Sequence, residues 1–147
     1  LCQSVARPGI AFDLAAGWTR AGFDDSDPAG DRIPGAPNRV ASAGVTFDAA
    51  GGWSGALRWR YFGPRPLEES GTVKSKSTSL TNARIAYAVN PKVKVSMDVF
   101  NVFDRRDDDI SYFYVSRLPG EPAEGVADIH FHPVEKRALR LTLSLAY

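Results

Sequence analysis

"RALRLTLSLAY", Arg137 to Tyr147, closes the chain on a two-residue rhythm. Leucines stand at 139, 141, 143 and 145, and between them sit Arg140, Thr142, Ser144 and Ala146. Successive side chains of a strand point to opposite faces, so the stretch makes one wholly apolar face and one polar or small face. A last aromatic, Tyr147, ends the apolar row.

The same rhythm recurs upstream, and helical periodicity does not. It predicts six main strands: Ile10–Arg20, Arg39–Asp48, Trp53–Phe62, Ser79–Val89, Lys92–Phe103 and Lys136–Tyr147. The ten prolines fall outside all six, as ladder hydrogen bonding requires. Sorted by parity, one face carries Phe12, Leu14 and Trp18, then Val45 and Phe47, then Leu57, Trp59 and Tyr61. It continues through Ile85, Tyr87, Val95 and Met97 to the four leucines. The other face carries Asp13, Asp48, Arg58, Arg60, Arg84, Lys94, Asp98 and Arg140 among Ser, Thr, Gly and Ala.

Composition narrows the class. With 18 Lys and Arg against 17 Asp and Glu, the net charge of +1 gives no footprint for nucleic acid. Cys2 is the one cysteine, so no internal disulfide and no cysteine-based metal cluster is expected. No run approaches the roughly 18 apolar residues of a membrane helix, which excludes helical spanning and leaves strand spanning open.

The expected connections alternate in length. Ala49–Gly52 and Asn90–Pro91 are short; Ala21–Asn38, Gly63–Thr78 and Asp104–Glu135 are long. Antiparallel strands with short turns at one end and long loops at the other are the pattern of outer-membrane barrels. A strand of about 11 residues, rising about 3.3 Å each and tilted about 40°, spans roughly 25–28 Å, the height of their apolar band. Trp18, Trp53, Tyr61 and Tyr147 fall near strand ends, where an aromatic girdle sits. Two other arrangements share the alternation: a soluble barrel with the apolar face inward around a small ligand, and a passive porin. Six strands do not close a membrane barrel, whose single-chain forms start at about eight. The expected fold is therefore all-β, an antiparallel up-and-down transmembrane β-barrel segment whose remaining strands lie upstream in the same chain.

Four stretches carry a resemblance: "GDRIPGAPNRVASAGVTFD" (Gly30–Asp48), "LRWRYFGPRPL" (Leu57–Leu67), "DVFNVFDRR" (Asp98–Arg106) and "YFYVSRLPGEPAEGVADIHFHP" (Tyr112–Pro133). With the closing "LRLTLSLAY" they resemble the C-terminal barrel segments of TonB-dependent outer-membrane receptors, over nearly the whole chain from about Ile10. The resemblance implies energised import of a scarce nutrient, such as a ferric siderophore or a cobalamin, across the bacterial outer membrane. It implies a plug domain and TonB-contacting box upstream, making residues 1–147 the last part of a receptor barrel. It makes Leu141, Leu143, Leu145 and Tyr147 the mark read by the barrel assembly machinery. It turns Arg58, Arg60, Arg84, Asp98 and Arg140 toward a plug-filled lumen, the apolar face toward outer-membrane lipid, and the three long loops outward.

Few residues suggest chemistry. His130 and His132 flank Phe131, and at i, i+2 in an extended segment both rings project to one side. A metal would need a further ligand from Asp128 or Glu135, and two ligands are half a site, so no metal and no cofactor is assigned. Asp107, Asp108 and Asp109 with Asp104 offer oxygens for Ca²⁺, but a solvated acidic turn fits the spacing better. Tyr112, Tyr114 and Arg117 in the longest loop could meet an aromatic or anionic ligand, together with His130 and His132. Alternation through Ile110, Tyr112 and Tyr114 equally suggests a strand continuing above the membrane. "RLPGEP" (Arg117–Pro122) reads as a rigid hairpin tip. No serine has a histidine and aspartate in a nucleophile arrangement, and no catalytic residue is expected.

Overall fold

The computed structural model describes residues 9–24 and 30–146. Its order is β1 (Gly9–Trp18), β2 (Arg39–Asp48), β3 (Trp53–Phe62), β4 (Thr78–Asn90), β5 (Val93–Phe100), β6 (Asp108–Ser116), β7 (Val126–Pro133) and β8 (Ala138–Leu145). Strands β1-β2-β3-β4-β5-β8 form one antiparallel sheet in that order, and β6-β7 form a separate hairpin. The two-residue rhythm therefore places all six expected strands. Tyr147 and Cys2 lie outside the described residues.

Two expectations are corrected. The strand expected to run to Phe103 stops at Phe100, because Asn101 and Asp104 both adopt a left-handed backbone (φ 49° each). Asn and Asp are the non-glycine residues that tolerate this conformation best. The segment taken as one long loop, Asp104–Glu135, contains β6 and β7, and Pro133 closes β7 opposite Asp108.

The register tests the parity assignment, since directly opposed residues project to the same face. Phe47 opposes Ile10 on one side and Gly55 on the other; Gly55 opposes Ile85, Ile85 opposes Met97, and Met97 opposes Leu141. One apolar face thus runs unbroken across six strands. On the other, Gly44 opposes Asp13 and Arg58, Arg84 opposes Asp98, and Asp98 opposes Arg140. Phe47 folds over Gly55, where a Cβ would come within 2.3 Å of its ring.

Burial is inverted relative to a soluble barrel. At the sheet centre the polar-face residues Ala86, Ser96 and Asp98 are 3%, 9% and 8% exposed, while their neighbours on the apolar face, Tyr87, Val95 and Met97, are 37%, 42% and 37% exposed. Small and polar side chains occupy the sheltered side; the large apolar ones face out. A soluble ligand-binding barrel requires the reverse.

Short turns and long loops alternate as expected. Gly51 and Gly52 supply positive φ between β2 and β3 (86° and 84°), and Asn90 Oδ1 accepts the Lys92 N–H at 2.9 Å between β4 and β5. Three long connections, 19–38, 63–77 and 101–137, share the opposite end. Aromatics mark both borders: Trp53 and Tyr87 pack at 4.8 Å beside the turns, and Trp59 stacks with Tyr61 at 6.0 Å beside the loops. From Trp53 to Tyr61 the strand climbs about 20 Å along the barrel axis at about 3.3 Å per residue and about 40° of tilt.

Candidate functional site

The three long loops are tied into one platform. The Arg32 N–H donates to the Glu69 carbonyl (3.0 Å) and the Gly35 N–H to the Pro66 carbonyl (2.8 Å), joining the first loop to the second. Gly30, at φ 122°, lets these backbones meet, because a Cβ there would lie 2.4 Å from the Glu69 oxygen. The second loop folds on itself: Glu68 accepts from the Thr72 hydroxyl, the Ser70 hydroxyl (2.7 Å) and the Val73 N–H (3.1 Å). These donors, Thr72 foremost, hold the Glu68 carboxyl below the usual range. Arg65 Nη2 then reaches the Asp109 carbonyl (3.0 Å) in the third loop.

The third loop has a hydrogen-bonded neck. Asn101 is buried at its centre. Its Oδ1 accepts the Arg105 N–H (2.9 Å), and its Nδ2 donates to the carbonyls of Arg105 (2.9 Å) and Glu135 (2.8 Å), so one side chain closes both ends of the excursion. Its own N–H donates to Asn82 Oδ1 on β4 (3.0 Å). Asp104 accepts the Arg137 N–H (3.0 Å), and that bond, helped by the fields of Arg137, Arg106 and Lys136, lowers its pKa. The acidic run takes part in the same neck. Asp107 Oδ2 accepts the Ser79 N–H (2.8 Å) and pairs with Arg105 (3.6 Å), while the Asp108 carbonyl accepts the Thr78 hydroxyl (2.5 Å). Sequence reasoning quoted "NVFD" without seeing this role; two residues prone to left-handed backbone after an alternating strand were the available signal.

The neck presents the β6–β7 hairpin. Tyr112 opposes His130, Ile110 opposes His132 and Tyr114 opposes Asp128, so these six side chains share one face. Tyr114 stacks on His130 at 4.0 Å with the rings 16° apart. His130 Nε2 is shut from solvent and has no hydrogen-bond partner, while Tyr112, Tyr114 and His132 are exposed. Arg117 is not brought into this cluster. It lies at the hairpin tip, about 16 Å along the strand from Tyr112 at about 3.3 Å per residue. There its Nε donates to the Glu121 carbonyl (3.3 Å), and Glu121 Oε2 accepts the Leu118 N–H (2.6 Å). Among the described residues no group of three or more His, Cys, Asp or Glu is arranged to hold a metal.

On the polar face, the charges sort themselves. Arg58 Nη2 meets Asp13 Oδ1 at 3.1 Å across Gly44, whose missing side chain leaves the path; a Cβ there would lie 2.3 Å from that oxygen. Arg84 grips Asp98 through Nε (2.6 Å) and Nη2 (2.9 Å). Arg140 lies over the Phe100 ring at 4.9 Å. Arg60 and Arg140 form no ion pair among the described residues. Arg60, Asn82, Phe100, Asn101, Asp109 and Glu135 line a cavity of about 200 Å³ where this face meets the neck.

The arrangement offers exposed surface for binding and the wall of a barrel. No curated protein matches the chain significantly. Two solved structures share the fold at 20% identity, each over 95% of this chain. They are the ferric yersiniabactin uptake receptor FyuA from Yersinia pestis (TM-score 0.69) and the ferric-catecholate import receptor Fiu from K12 E. coli (TM-score 0.68). This chain covers 21% and 19% of their lengths. The family described as TonB dependent receptor-like, beta-barrel matches residues 6–102, and on that match, together with the inverted burial and the one-sided loops, the chain belongs to the TonB-dependent receptor barrel family.

Proposed function

We propose that residues 1–147 form the C-terminal part of an outer-membrane receptor that binds and imports a ferric chelate, and carry no chemistry of their own. The observation behind this reading is the inverted sheet, apolar face outward, crowned on one side by three linked loops. The two structural neighbours are named for ferric compounds, which favours a ferric siderophore over a cobalamin. The hairpin face of Tyr112, Tyr114, His130 and His132 offers stacked aromatic surface to such a ligand. A polar ligand group reaching His130 Nε2 would relieve a desolvation cost of about 1–3 kcal/mol.

In this reading the polar face lines the lumen against a plug domain of the same full-length chain. Arg58 and Arg84 already have carboxylate partners, with Asp98 fully engaged, so Arg60, Lys94 and Arg140 are the polar-face cations left for plug carboxylates among the described residues. TonB acts through the plug. Leu141, Leu143, Leu145 and Tyr147 serve the barrel assembly machinery. Arg117, remote from the stacked rings, meets the ligand only at the outer tip.

The test uses the complete receptor, with binding of ferric chelates followed by fluorescence quenching and uptake followed with radioactive iron. Tyr114→Ala with His130→Ala lowers ligand affinity about 3- to 10-fold, from the loss of about 0.5–1.5 kcal/mol of ring stacking. A receptor that binds no ferric chelate and instead passes small solutes without TonB would be a porin, and the proposal would be wrong.

A further inference from the structure

The fixed charges of the β6–β7 hairpin are unequal. From Asp108 to Pro133 it carries the carboxylates of Asp108, Asp109, Glu121, Glu124 and Asp128 against one cation, Arg117. None of these six forms an ion pair among the described residues. Cations gather instead at the hairpin's foot. There Arg65 Nη2 donates to the Asp109 carbonyl, Arg105 pairs with Asp107, and Arg137 Nη1 donates to the Val102 carbonyl (3.5 Å). Arg106 and Lys136 act on Asp104. Arg117 is held at the tip by the Glu121 carbonyl. The stacked face itself presents phenols, imidazoles and one carboxylate, with no ammonium or guanidinium. That carboxylate is Asp128, exposed and directly opposite Tyr114. Its Oδ1 accepts the Ile129 N–H (2.7 Å), which fixes the group beside the ring. Tyr114 has one ring face against His130 and is 53% exposed, so its other face is open.

We propose that the chelate this hairpin takes is cationic, a ferric complex of singly charged donors such as hydroxamates with one free ammonium, and that the ammonium seats between the open face of Tyr114 and the Asp128 carboxylate. Directly opposed residues hold their Cβ atoms about 4.5–5.5 Å apart, so a group over the ring also meets the carboxylate. The ring face attracts a cation through its quadrupole, and the carboxylate adds an opposite charge. The remaining carboxylates act at longer range, drawing cations toward the hairpin and turning anions away. Ligand charge follows from donor chemistry. Three hydroxamates neutralise ferric iron, so a free ammonium leaves the complex positive. Three catecholates leave it triply negative, and the stacked face offers such an anion no counter-charge. The proposal rests on the hairpin being the ligand-binding face and narrows what that face selects.

The experiment titrates the complete receptor in mild detergent with three ferric chelates, followed by fluorescence quenching. They are ferrioxamine B, a trihydroxamate with a free ammonium; the same compound acetylated at that amine, which is uncharged; and a ferric tricatecholate, which is triply negative. The ammonium form binds about fivefold tighter than the acetylated form at low salt, the size of one exposed cation–π or ion-pair contact, and the tricatecholate binds weakest. Added salt narrows the preference. Asp128→Asn retains an oxygen for the Ile129 N–H and removes most of the preference, weakening the ammonium form more than the acetylated one. Equal affinity for the ammonium and acetylated forms, or an undiminished preference in Asp128→Asn, overturns the proposal. Tightest binding of the tricatecholate overturns it too and leaves the ferric-chelate reading standing. Binding of no ferric chelate, these three included, overturns both.

Discussion

The six-stranded sheet and the β6–β7 hairpin use the same extended geometry but differ in the contrast between their faces. In the sheet one face is apolar from Phe12 to Leu145 and the other carries every charge except Arg39, at the loop border. In the hairpin both faces are mixed: Ile110, Tyr112, Tyr114, His130 and His132 on one, Ser111, Phe113, Val115, Ile129 and Phe131 on the other. A surface against hydrocarbon must be uniformly apolar, because each polar group there costs free energy. A surface standing above the membrane has no such demand. The contrast is thus a record of the solvent each region meets.

A charge placed in each region breaks or upholds that statement. Met97→Arg puts a cation in the middle of the apolar face, between Ile85 and Leu141. In lipid it destabilises the complete barrel by about 2–4 kcal/mol. Ile129→Arg, on the exposed hairpin, stays within about 1 kcal/mol. Denaturant unfolding of both variants in vesicles measures the difference. Equal costs would mean that the sheet face does not lie in hydrocarbon.

The next test concerns what joins the regions. Asn101→Ala removes two side-chain donations and one acceptance at the neck, and alanine resists φ 49°. The cost is about 2–3 kcal/mol, from unpaired buried groups at about 1–3 kcal/mol each. It falls on the excursion and leaves the sheet ladder intact. Hydrogen exchange should accelerate across 101–137 and hold steady in β2, β3 and β4. Loss of protection in the sheet as well would make the two regions one cooperative unit.

The same contrast explains what could be read in advance. Phe12 to Trp18, Trp53 to Tyr61 and the terminal leucines gave their strands away, because hydrocarbon enforces the alternation. The hairpin was legible only as extended fragments around Tyr112 and His130, since neither face is under that demand. Those two residues were grouped as candidates for one ligand, but that they stand directly opposite each other depends on the hairpin register, which alternation alone does not fix. Arg117 was grouped with them because it is near in sequence, and the chain carries it past them to the tip. The acidic run looked like a solvated turn, yet Asp107 and Asp108 tie the loop to β4 through Ser79 and Thr78, contacts between segments far apart in sequence.

A milder change sharpens the comparison within the sheet. Gly44→Ala drives a methyl into the Asp13 carboxylate and parts it from Arg58. The pair is largely exposed in the isolated segment, so the loss is at most about 1 kcal/mol. A double-mutant cycle with Asp13→Asn checks it: once the carboxylate charge is gone, Gly44→Ala should cost less. A cost above that of Met97→Arg would invert the order expected for a polar wall and a lipid face.

The smallest effect is acid sensitivity confined to the loop side. Glu68 and Asp104 both have pKa values held below their ordinary 4.5 and 3.8 by hydrogen bonds made in the folded loops. A carboxylate with a depressed folded pKa contributes its full stability above the ordinary value and loses it as pH falls through the depressed one. Acid should therefore loosen the second loop and the neck while the sheet, held by its backbone ladder and apolar face, stays closed. Protease cleavage compared between pH 7 and pH 3 with an acid-active enzyme reads this directly, with cuts within 63–77 and 101–137 and none in the strands. Glu68→Gln and Asp104→Asn supply the control. Each keeps the shape and discards the titration, so the variant loops should be partly loosened at pH 7 and gain little further in acid. A wild-type loop cut equally at both pH values would show that these carboxylates are not what holds the platform above the sheet.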